Sequence, residues 1–386
     1  MKAEDILFIS LGGAAASIAR RIAQGARRDP TQAPMRVLIL DTDDAVLQEV
    51  VHTDGVSVTI FGTQRLAGRG TGGDHILGMS AFRDDATTLM QQIGTPRLVI
   101  LLTCCGGGTS GAAEPLLRLL RERGIANVVF ATEPFAFEGE ARRRSASVVL
   151  PTICEKANAV TTVPLASLLA GASDELSMSQ SFAYAADRLA AGISLLWTQL
   201  VFPGYIQFDV EYFRQYLEQD SYVPLSFTFA DATAKGAGRA EAVVEALTNA
   251  SRFQVRGQNC LASASHVIVG VLAGEDLRLC ELDTLMTGVK KALSSQAEVM
   301  LGTVNQPSFN GQLGVVLLAF AATNTDVADQ PDGGLQPVRK RSGKGAKSGK
   351  SLSAVKDRFD DVECTLIDGV NYDEPTYVRR HIRLKR

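Results

Sequence analysis

The stretch RLVILLTCCGGGTSGAAEPLLRLLRERG, residues 97–124, decides the fold. After Arg97 it runs apolar to Leu102, a length suited to a buried strand, and a helix-like segment begins near Ala112. Between them lies Gly106-Gly107-Gly108-Thr109-Ser110-Gly111. Strand, glycine loop and helix in that order make a unit of a parallel sheet. Glycines let the backbone close around phosphate oxygens so that several N–H groups point at them, and a helix N-terminus adds roughly half a positive charge. The loop lacks the lysine of GxxxxGK[ST], which sets ordinary P-loop NTPases aside. A turn that only lets the helix pack closely needs the same glycines, so this loop alone leaves both readings open.

The same pattern recurs outward from it. Residues 6–11 (ILFISL), 36–40, 56–61 and 128–132 are further short apolar runs with helical stretches between them. They predict buried parallel strands and a doubly wound, Rossmann-like α/β domain, whose ligands bind at the carboxyl ends of the strands. Two more glycine loops belong to this half: Gly12-Gly13-Ala14-Ala15-Ala16-Ser17, directly after the first run, and Gly68-Arg69-Gly70-Thr71-Gly72-Gly73-Asp74. Small residues in the first would permit close approach to a diphosphate, though a tight strand-to-helix turn explains it equally well. Three such loops in one half are hard to explain by packing alone.

Further along, the pattern changes. Phe182, Ala186, Leu189, Ile193, Leu196 and Leu200 fall at three- and four-residue spacings, which predicts one long helix ended by Phe202-Pro203-Gly204. Strand-like runs at 224–229, 267–272 and 314–320, with helical stretches near 239–250 and 281–293, predict a smaller α+β second domain. After Thr323 the composition collapses, and RKRSGKGAKSGK at 339–350 predicts a disordered basic linker. The expected divisions are a first domain at 1–177, a central helix at 178–202, a second domain at 203–323, a linker at 324–370 and a terminal peptide at 371–386.

Of the 386 residues 46% are hydrophobic and 21% charged, and the net charge is -3. That is ample material for two cores and excludes a generally basic nucleic-acid binder. The cysteines Cys104, Cys105, Cys154, Cys260, Cys280 and Cys364 form no CxxC pair and have no histidines at ligand spacing, so neither a zinc site nor a disulfide framework is expected. No signal-peptide pattern and no apolar run of about 18 residues stands in the sequence, so the expectation is a cytoplasmic protein that does not insert into a membrane.

CGGGTSGAAEPLLRLLRERG, followed by PFAFEGEARR at 134–143, resembles the tubulin-type signature of FtsZ, the bacterial division GTPase family, whose members carry GGGTGTGAAP and then PFxFEGxxR. Other matches keep the family's order. Asp41-Thr42-Asp43 looks like its NTD, residues 68–74 like its GLGAGAN loop, FAYAAD at 182–187 like its FxAAND, and DATAKGAGRA at 231–240 loosely like a glycine-rich stretch of its second domain. YDEPTYVRR at 372–380 resembles the DIPxFLR peptide that docks membrane tethers. The resemblance implies the FtsZ/tubulin fold, with GTP or GDP and Mg²⁺ bound in the first domain. It also implies head-to-tail polymerisation through the second domain, hydrolysis where subunits meet, and a role at the division site. The terminal peptide would dock a membrane tether or division protein.

Carried over residue by residue, Gly106, Gly107, Gly108 and Thr109 would hold the β- and γ-phosphates, Gly12 and Gly13 the α- and β-phosphates, and Gly72 with Gly73 the γ-phosphate. Glu138 and Arg142 would lie near the ribose, Phe182 would stack on the base, and Asp187 would accept from guanine. A core phenylalanine and a paired surface charge are the plain alternatives for the last two. In the family NxDxxD enters the neighbouring subunit's site; here Gln207 and Asp209 hold its first two positions and Tyr212 the last, which makes Asp209 and Gln207 the catalytic candidates.

The departures are as informative. The signature's last glycine is Ala112, Ser110 replaces another, the first loop continues as Ala14-Ala15-Ala16, and two asparagines that hold the base or ribose are Leu165 and Ala186. Looser guanine recognition follows. A missing water-positioning carboxylate at Tyr212 would cost about 10²–10⁴ in rate. The alternative is therefore a nucleotide-binding structural filament or paralogue with little hydrolysis, acting as scaffold or regulator. A dinucleotide oxidoreductase using the first loop needs an acidic residue about 20 positions on; Asp29 and Asp41 fit that poorly.

Overall fold

Every apolar run named above becomes a strand in a computed structural model of the chain. The structure describes residues 2–27, 35–45, 55–169, 172–173, 175–207, 209–218, 225–248, 254–255, 258–259, 261, 264–322, 366–367 and 370–371. In the first half the order is β1 (Ile6–Leu11), α1 (Gly13–Arg27), β2 (Arg36–Asp41), β3 (Val56–Ile60), α2 (His75–Ile93), β4 (Leu98–Cys104), α3 (Ala113–Glu122), β5 (Ala126–Glu133), α4 (Glu140–Lys156) and β6 (Ala159–Pro164). These strands pair in parallel in the spatial order β3-β2-β1-β4-β5-β6. Side chains alternate across a strand, so a run apolar at every position must be covered on both faces. β1 shows it: Ile6 and Phe8 enter one core, while Leu7, Ile9 and Leu11 enter the other.

The second half follows as α5 (Met178–Val201), α6 (Val210–Glu218), β7 (Leu225–Lys235), α7 (Arg239–Thr248), β8 (His266–Ala273), α8 (Leu279–Ala292), β9 (Glu298–Asn305) and β10 (Gln312–Ala322). Its strands lie in the order β9-β8-β10-β7, and β7 joins β6, so one ten-stranded sheet runs through both halves. β10 is antiparallel to both neighbours, whereas β8 and β9 are parallel. The join is narrow: Ala159 pairs with Leu225 and Val160 with Ser226. Aromatic rings reinforce it, with Phe130 of β5 edge-on to Phe227 at 5.5 Å and to Phe229 at 5.3 Å. Such pairs contribute about 0.5–1.5 kcal/mol each beyond area burial.

α5 is the long helix that the apolar stripe predicts, and Ser177 caps it by accepting from Gln180 N–H at 3.3 Å. It packs on α1 and on β7, β8 and β10. Being pressed from both halves, it buries residues off the stripe as well, Trp197, Thr198 and Gln199 among them. β6 and β9 went unread: AVTTVP carries two threonines and ends in proline, and EVMLGTVN is broken by Gly302.

The chain from Gln330 onward forms a separate unit. Within the expected linker and terminal peptide, Leu366–Ile367 pairs antiparallel with Val370–Asn371, and the other residues lie outside those described. The linker expected to be disordered to residue 370 thus contains a small paired segment, its apolar residues flanking Asp368-Gly369 as in a hairpin sequence.

Candidate functional site

A cleft of about 570 Å³ opens at the carboxyl ends of β1, β4 and β5, lined by residues that follow each of these strands and by residues of the start of α5. Gly12, Gly13, Ala14 and Ser17 bring in the start of α1; Gly107, Thr109 and Ser110 bring in the loop after β4. Two chain segments that begin helical turns, at Gly13 and at Gly108, therefore point at one volume. Their unpaired N–H groups make such a place attractive to anions.

The glycines there do different work. Gly12 sits at φ +86°, a region where a Cβ is strained, and a Cβ on it would lie 3.3 Å from the Cβ of Thr109. Gly13 lines the cleft with ordinary backbone, and only the Asp41 carboxylate would approach its Cβ, at 3.6 Å. Around Gly107 the space is open. Gly108 and Gly111 instead let α2 press on the loop: a Cβ on Gly108 would meet Thr71 Oγ1 at 2.1 Å, and one on Gly111 would meet His75 O at 1.9 Å. Phosphate access and close packing were rival readings of one loop, and its geometry divides them, with Gly107 on the cleft and Gly108 and Gly111 in packing. Gly106, at φ +113°, makes the turn against Arg142 and Pro134 and is not itself a lining residue.

Thr109 is the fixed point of the floor. Its hydroxyl lies 3.1 Å from that of Thr42 and donates to Asp41 Oδ1 at 3.3 Å. Asp41 Oδ1 also accepts from the Thr42 N–H at 2.7 Å. Burial pushes the Asp41 carboxyl above its ordinary value, although these hydrogen bonds pull it down. Asp41 and Thr42 were not among the expected site residues; their place after β2, matched to the NTD motif, was the available signal. The third glycine loop is tied to the same point, Gly70 N–H donating to Thr42 O at 3.0 Å. Gly72 and Gly73 are exposed on that loop and do not line the cleft.

The wall is aromatic and apolar. Phe135 and Phe137 stack at 4.9 Å, and Phe182 of α5 meets both edge-on, at 5.1 and 5.9 Å. Leu165, Met178 and Ala186 continue the surface. Glu138 and Arg142 are both lining residues and pair at 3.0 Å, while Glu138 also accepts from Phe135 N–H at 2.8 Å. Asp187 is turned elsewhere: its carboxylate is ion-paired with Arg21 Nε at 2.7 Å and is absent from the lining, which corrects the expectation that it faces the base. The methyls expected to crowd the loops are mostly harmless, since Ala15, Ala16 and Ala112 are buried in the cores and Ser110 turns its hydroxyl onto Gly107 O at 2.6 Å. Cys104 and Cys105 also line the cleft, but burial raises Cys104 to about 11 and Cys105 well above its usual range, so both stay protonated thiols.

The catalytic candidates stand apart from the cleft. Phe182 enters it near the start of α5, whereas Gln207 and Asp209 follow the other end of that helix, which ends at Val201, about 29 Å along the axis from Phe182. Both are exposed, and Asp209 Oδ1 accepts from Tyr212 N–H at 2.8 Å at the start of α6. β9 fixes the loop, with Ile206 N–H donating to Thr303 Oγ1 at 2.9 Å and Thr303 N–H to Ile206 O at 2.8 Å. Glu211 is held by Arg97 and Arg214, which keep its carboxyl below the usual range, and the Tyr212 hydroxyl donates to Glu298 at 3.2 Å. Among the described residues no group of three or more His, Cys, Asp or Glu could hold a metal, and no helix is long and apolar enough to cross a membrane.

Known proteins are similar to this chain in sequence and in fold. Residues 5–172 match the Tubulin/FtsZ family GTPase domain, and residues 230–322 match the FtsZ family C-terminal domain. The chain belongs to the FtsZ/tubulin family. The cell division protein FtsZ of Caulobacter vibrioides is 26% identical over 269 residues, which is 69% of this chain and 52% of that protein. FtsZ of Azotobacter vinelandii is 27% identical over 303 residues, 77% of this chain and 74% of that one. The chain thus spans about half the length of the first relative. An empty FtsZ dimer from M. jannaschii superposes with a TM-score of 0.72 at 19% identity, covering 82% of this chain and 88% of its own. A GTPγS-bound protofilament of CetZ2 from Haloferax volcanii gives 0.66 at 20%, covering 84% and 94%. At such identities the likeness to these two FtsZ/tubulin structures is one of fold.

Proposed function

We propose that this member of the FtsZ/tubulin family binds a guanine nucleotide in the cleft and assembles head to tail into protofilaments that serve cell division. The observation that carries the reading is the meeting of the start of α1, at Gly12 and Gly13, with the loop residues Gly107, Thr109 and Ser110 and an aromatic wall of Phe137 and Phe182, backed by the buried Phe135, around one volume. Phosphates sit at the helical starts, where backbone N–H groups are unpaired, and Thr109 is held still by Asp41 and Thr42 to face them. The ribose lies by Glu138 and Arg142, and the base lies against Phe182 and Phe137. Mg²⁺ prefers oxygen ligands and keeps several waters; with one buried carboxylate at the floor, Asp41, the metal would travel mainly with the phosphates.

Hydrolysis in this reading needs a second copy. Asp209 lies a helix length from its own cleft, so it can approach only the cleft of a neighbouring subunit, where it positions the attacking water beside Gln207. The terminal peptide 371–386 docks a membrane tether or division protein, and the filament works in the cytoplasm at the division site.

The test is phosphate release with GTP and Mg²⁺ as protein concentration rises, with light scattering followed in the same sample. Release that switches on with scattering above a critical concentration supports the proposal. Absence of both signals sinks it. A second reading, a nucleotide-binding filament that barely hydrolyses, is favoured by Tyr212 in place of a carboxylate and by Glu211 being held by Arg97 and Arg214. Scattering without release would select it.

A further inference from the structure

We infer that Thr303 is a positioning residue for hydrolysis: its hydroxyl sets the place of the loop that carries Gln207 and Asp209, so that the loop is located by strand β9 and not by the helix it follows. The inference rests on the reading of hydrolysis between subunits and deepens it. β9 ends the ten-stranded sheet and pairs with β8 on one side only. On its open side the Thr303 N–H donates to Ile206 O at 2.8 Å, and the Thr303 hydroxyl accepts from Ile206 N–H at 2.9 Å. Both polar groups of the Ile206 main chain are thus spent on one residue, which is 3% exposed. Among the described residues no other hydrogen bond holds residues 203–207. Gly204 shows how closely the chain lies there, since a Cβ on it would fall on Thr303 O. α5 contributes nothing to this hold: it stops at Val201, and Phe202 N–H makes its closing bond to Thr198 O.

In an antiparallel ladder two facing residues exchange N–H and C=O bonds. Here a side-chain oxygen stands where the carbonyl would be, so the clamp depends on the residue type at 303. Valine has the shape of threonine and no acceptor, whereas serine keeps the acceptor. Asp209 lies three residues beyond the clamped Ile206, and its own carboxylate accepts from Tyr212 N–H at 2.8 Å as α6 begins. The segment is therefore fixed at 206 and again at 209, and little slack is left between. A second tie to β9, from the Tyr212 hydroxyl to Glu298 at 3.2 Å, is exposed at both ends, where water competes for it. Thr303 is the buried tie. Misplacing a reacting group by about 1 Å can cost about 10²-fold in rate, so a clamp this near Asp209 matters to turnover.

The experiment compares the full chain as wild type, Thr303→Val, Thr303→Ser and Gly204→Ala. It reads phosphate release with GTP and Mg²⁺ per sedimented subunit, affinity for a fluorescent GTP analogue, and backbone hydrogen exchange over 203–212. Thr303→Val should lower release per assembled subunit about tenfold or more, with affinity within about twofold, because the cleft lies at the other end of α5. Its exchange over 203–212 should quicken about tenfold, with β8 and β10 unchanged. Thr303→Ser should stay within about twofold of wild type in both readouts. Gly204→Ala, which lifts the loop off the strand from the other side, should lower release as Thr303→Val does. A merely structural Thr303 would change how much protein folds and assembles but leave release per assembled subunit unmoved, and that result refutes the assignment. So does a Thr303→Ser variant as slow as Thr303→Val, or exchange over 203–212 that Thr303→Val leaves at the wild-type rate. Assembled wild type that releases no phosphate would overturn the hydrolysis reading itself, and this inference with it.

Discussion

Gly12 and Gly13 are neighbours at the start of α1, and alanine at the two positions should act in opposite senses. At Gly12 the backbone stands at φ +86°, where an L-residue costs about 1–2 kcal/mol. The new methyl would also lie 3.3 Å from the Cβ of Thr109, inside the ~3.5–4.0 Å optimum for two carbons. Thr109 must then retreat by a few tenths of an ångström. Its hydroxyl bonds to Thr42 and Asp41 are already 3.1 and 3.3 Å long, so retreat lengthens them past useful range, at about 1 kcal/mol. The sum for Gly12→Ala is about 2–3 kcal/mol of lost stability. At Gly13 the backbone is ordinary, the nearest atom to a Cβ is Asp41 Oδ2 at 3.6 Å, and alanine is the better helix former. Gly13→Ala should be neutral or stabilising by up to about 0.5 kcal/mol. Urea unfolding without nucleotide reads both through the shift in midpoint at constant slope. Equal costs at the two positions, within about 0.5 kcal/mol, would refute the argument from φ and contact distance.

The remaining expectations concern charges. Arg239, 4% exposed, is held by the half-buried Glu281 and the exposed Asp276 and also donates to Gln312 O, and Arg239→Ala should cost about 1–3 kcal/mol in urea unfolding by leaving these acceptors without their donor. Arg239 also holds Glu281 below its ordinary value; that stability is present above the unfolded pKa of about 4.3 and is lost as pH falls through the folded one. The acid-side loss should therefore be smaller in Arg239→Ala than in wild type. Asp41 has the opposite sign: raised by burial, it favours the folded state while protonated and ceases to do so as pH rises through its folded pKa. Asp41→Asn should accordingly gain on wild type in urea midpoint between about pH 4 and pH 7, and a constant difference would contradict the sign. Asp209→Ala removes the acceptor for Tyr212 N–H, at about 1 kcal/mol, and should abolish phosphate release while leaving nucleotide affinity within about twofold. A large loss of affinity would contradict its separation from the cleft.

The parts of this molecule that the sequence discloses are those where one physical demand acts alone. ILFISL has to be a strand buried on both faces, because an uncharged apolar run followed by glycine fits little else, and the stripe from Phe182 to Leu200 has to be a helix. β6 and β9 escaped because threonines, a proline and a glycine stand where pairing, supplied by distant strands, decides the matter. The site divides the same way. Gly12, Gly13, Gly107, Thr109, Glu138, Arg142 and Phe182 come together as their motifs imply. Gly108 belongs to packing because α2, distant in sequence from the loop, presses on it. Asp187 was misplaced because its partner, Arg21, lies 166 residues away, and no local pattern announces an ion pair of that span.

The central place of β1 in the sheet sets a timetable for synthesis. One edge of β1 is covered by β2, but the other pairs with β4, where Ile6 meets Leu98 and Leu11 meets Thr103. A chain grows at about 5–20 residues per second, so that edge waits roughly 5–20 s after it leaves the ribosome for its partner to appear. Throughout the wait the nascent chain presents six residues without a charge, and such open edges are what strands of other chains join. A chaperone that shields the amino terminus until about residue 104 has emerged should therefore raise the yield of soluble protein more than one that acts on the finished chain.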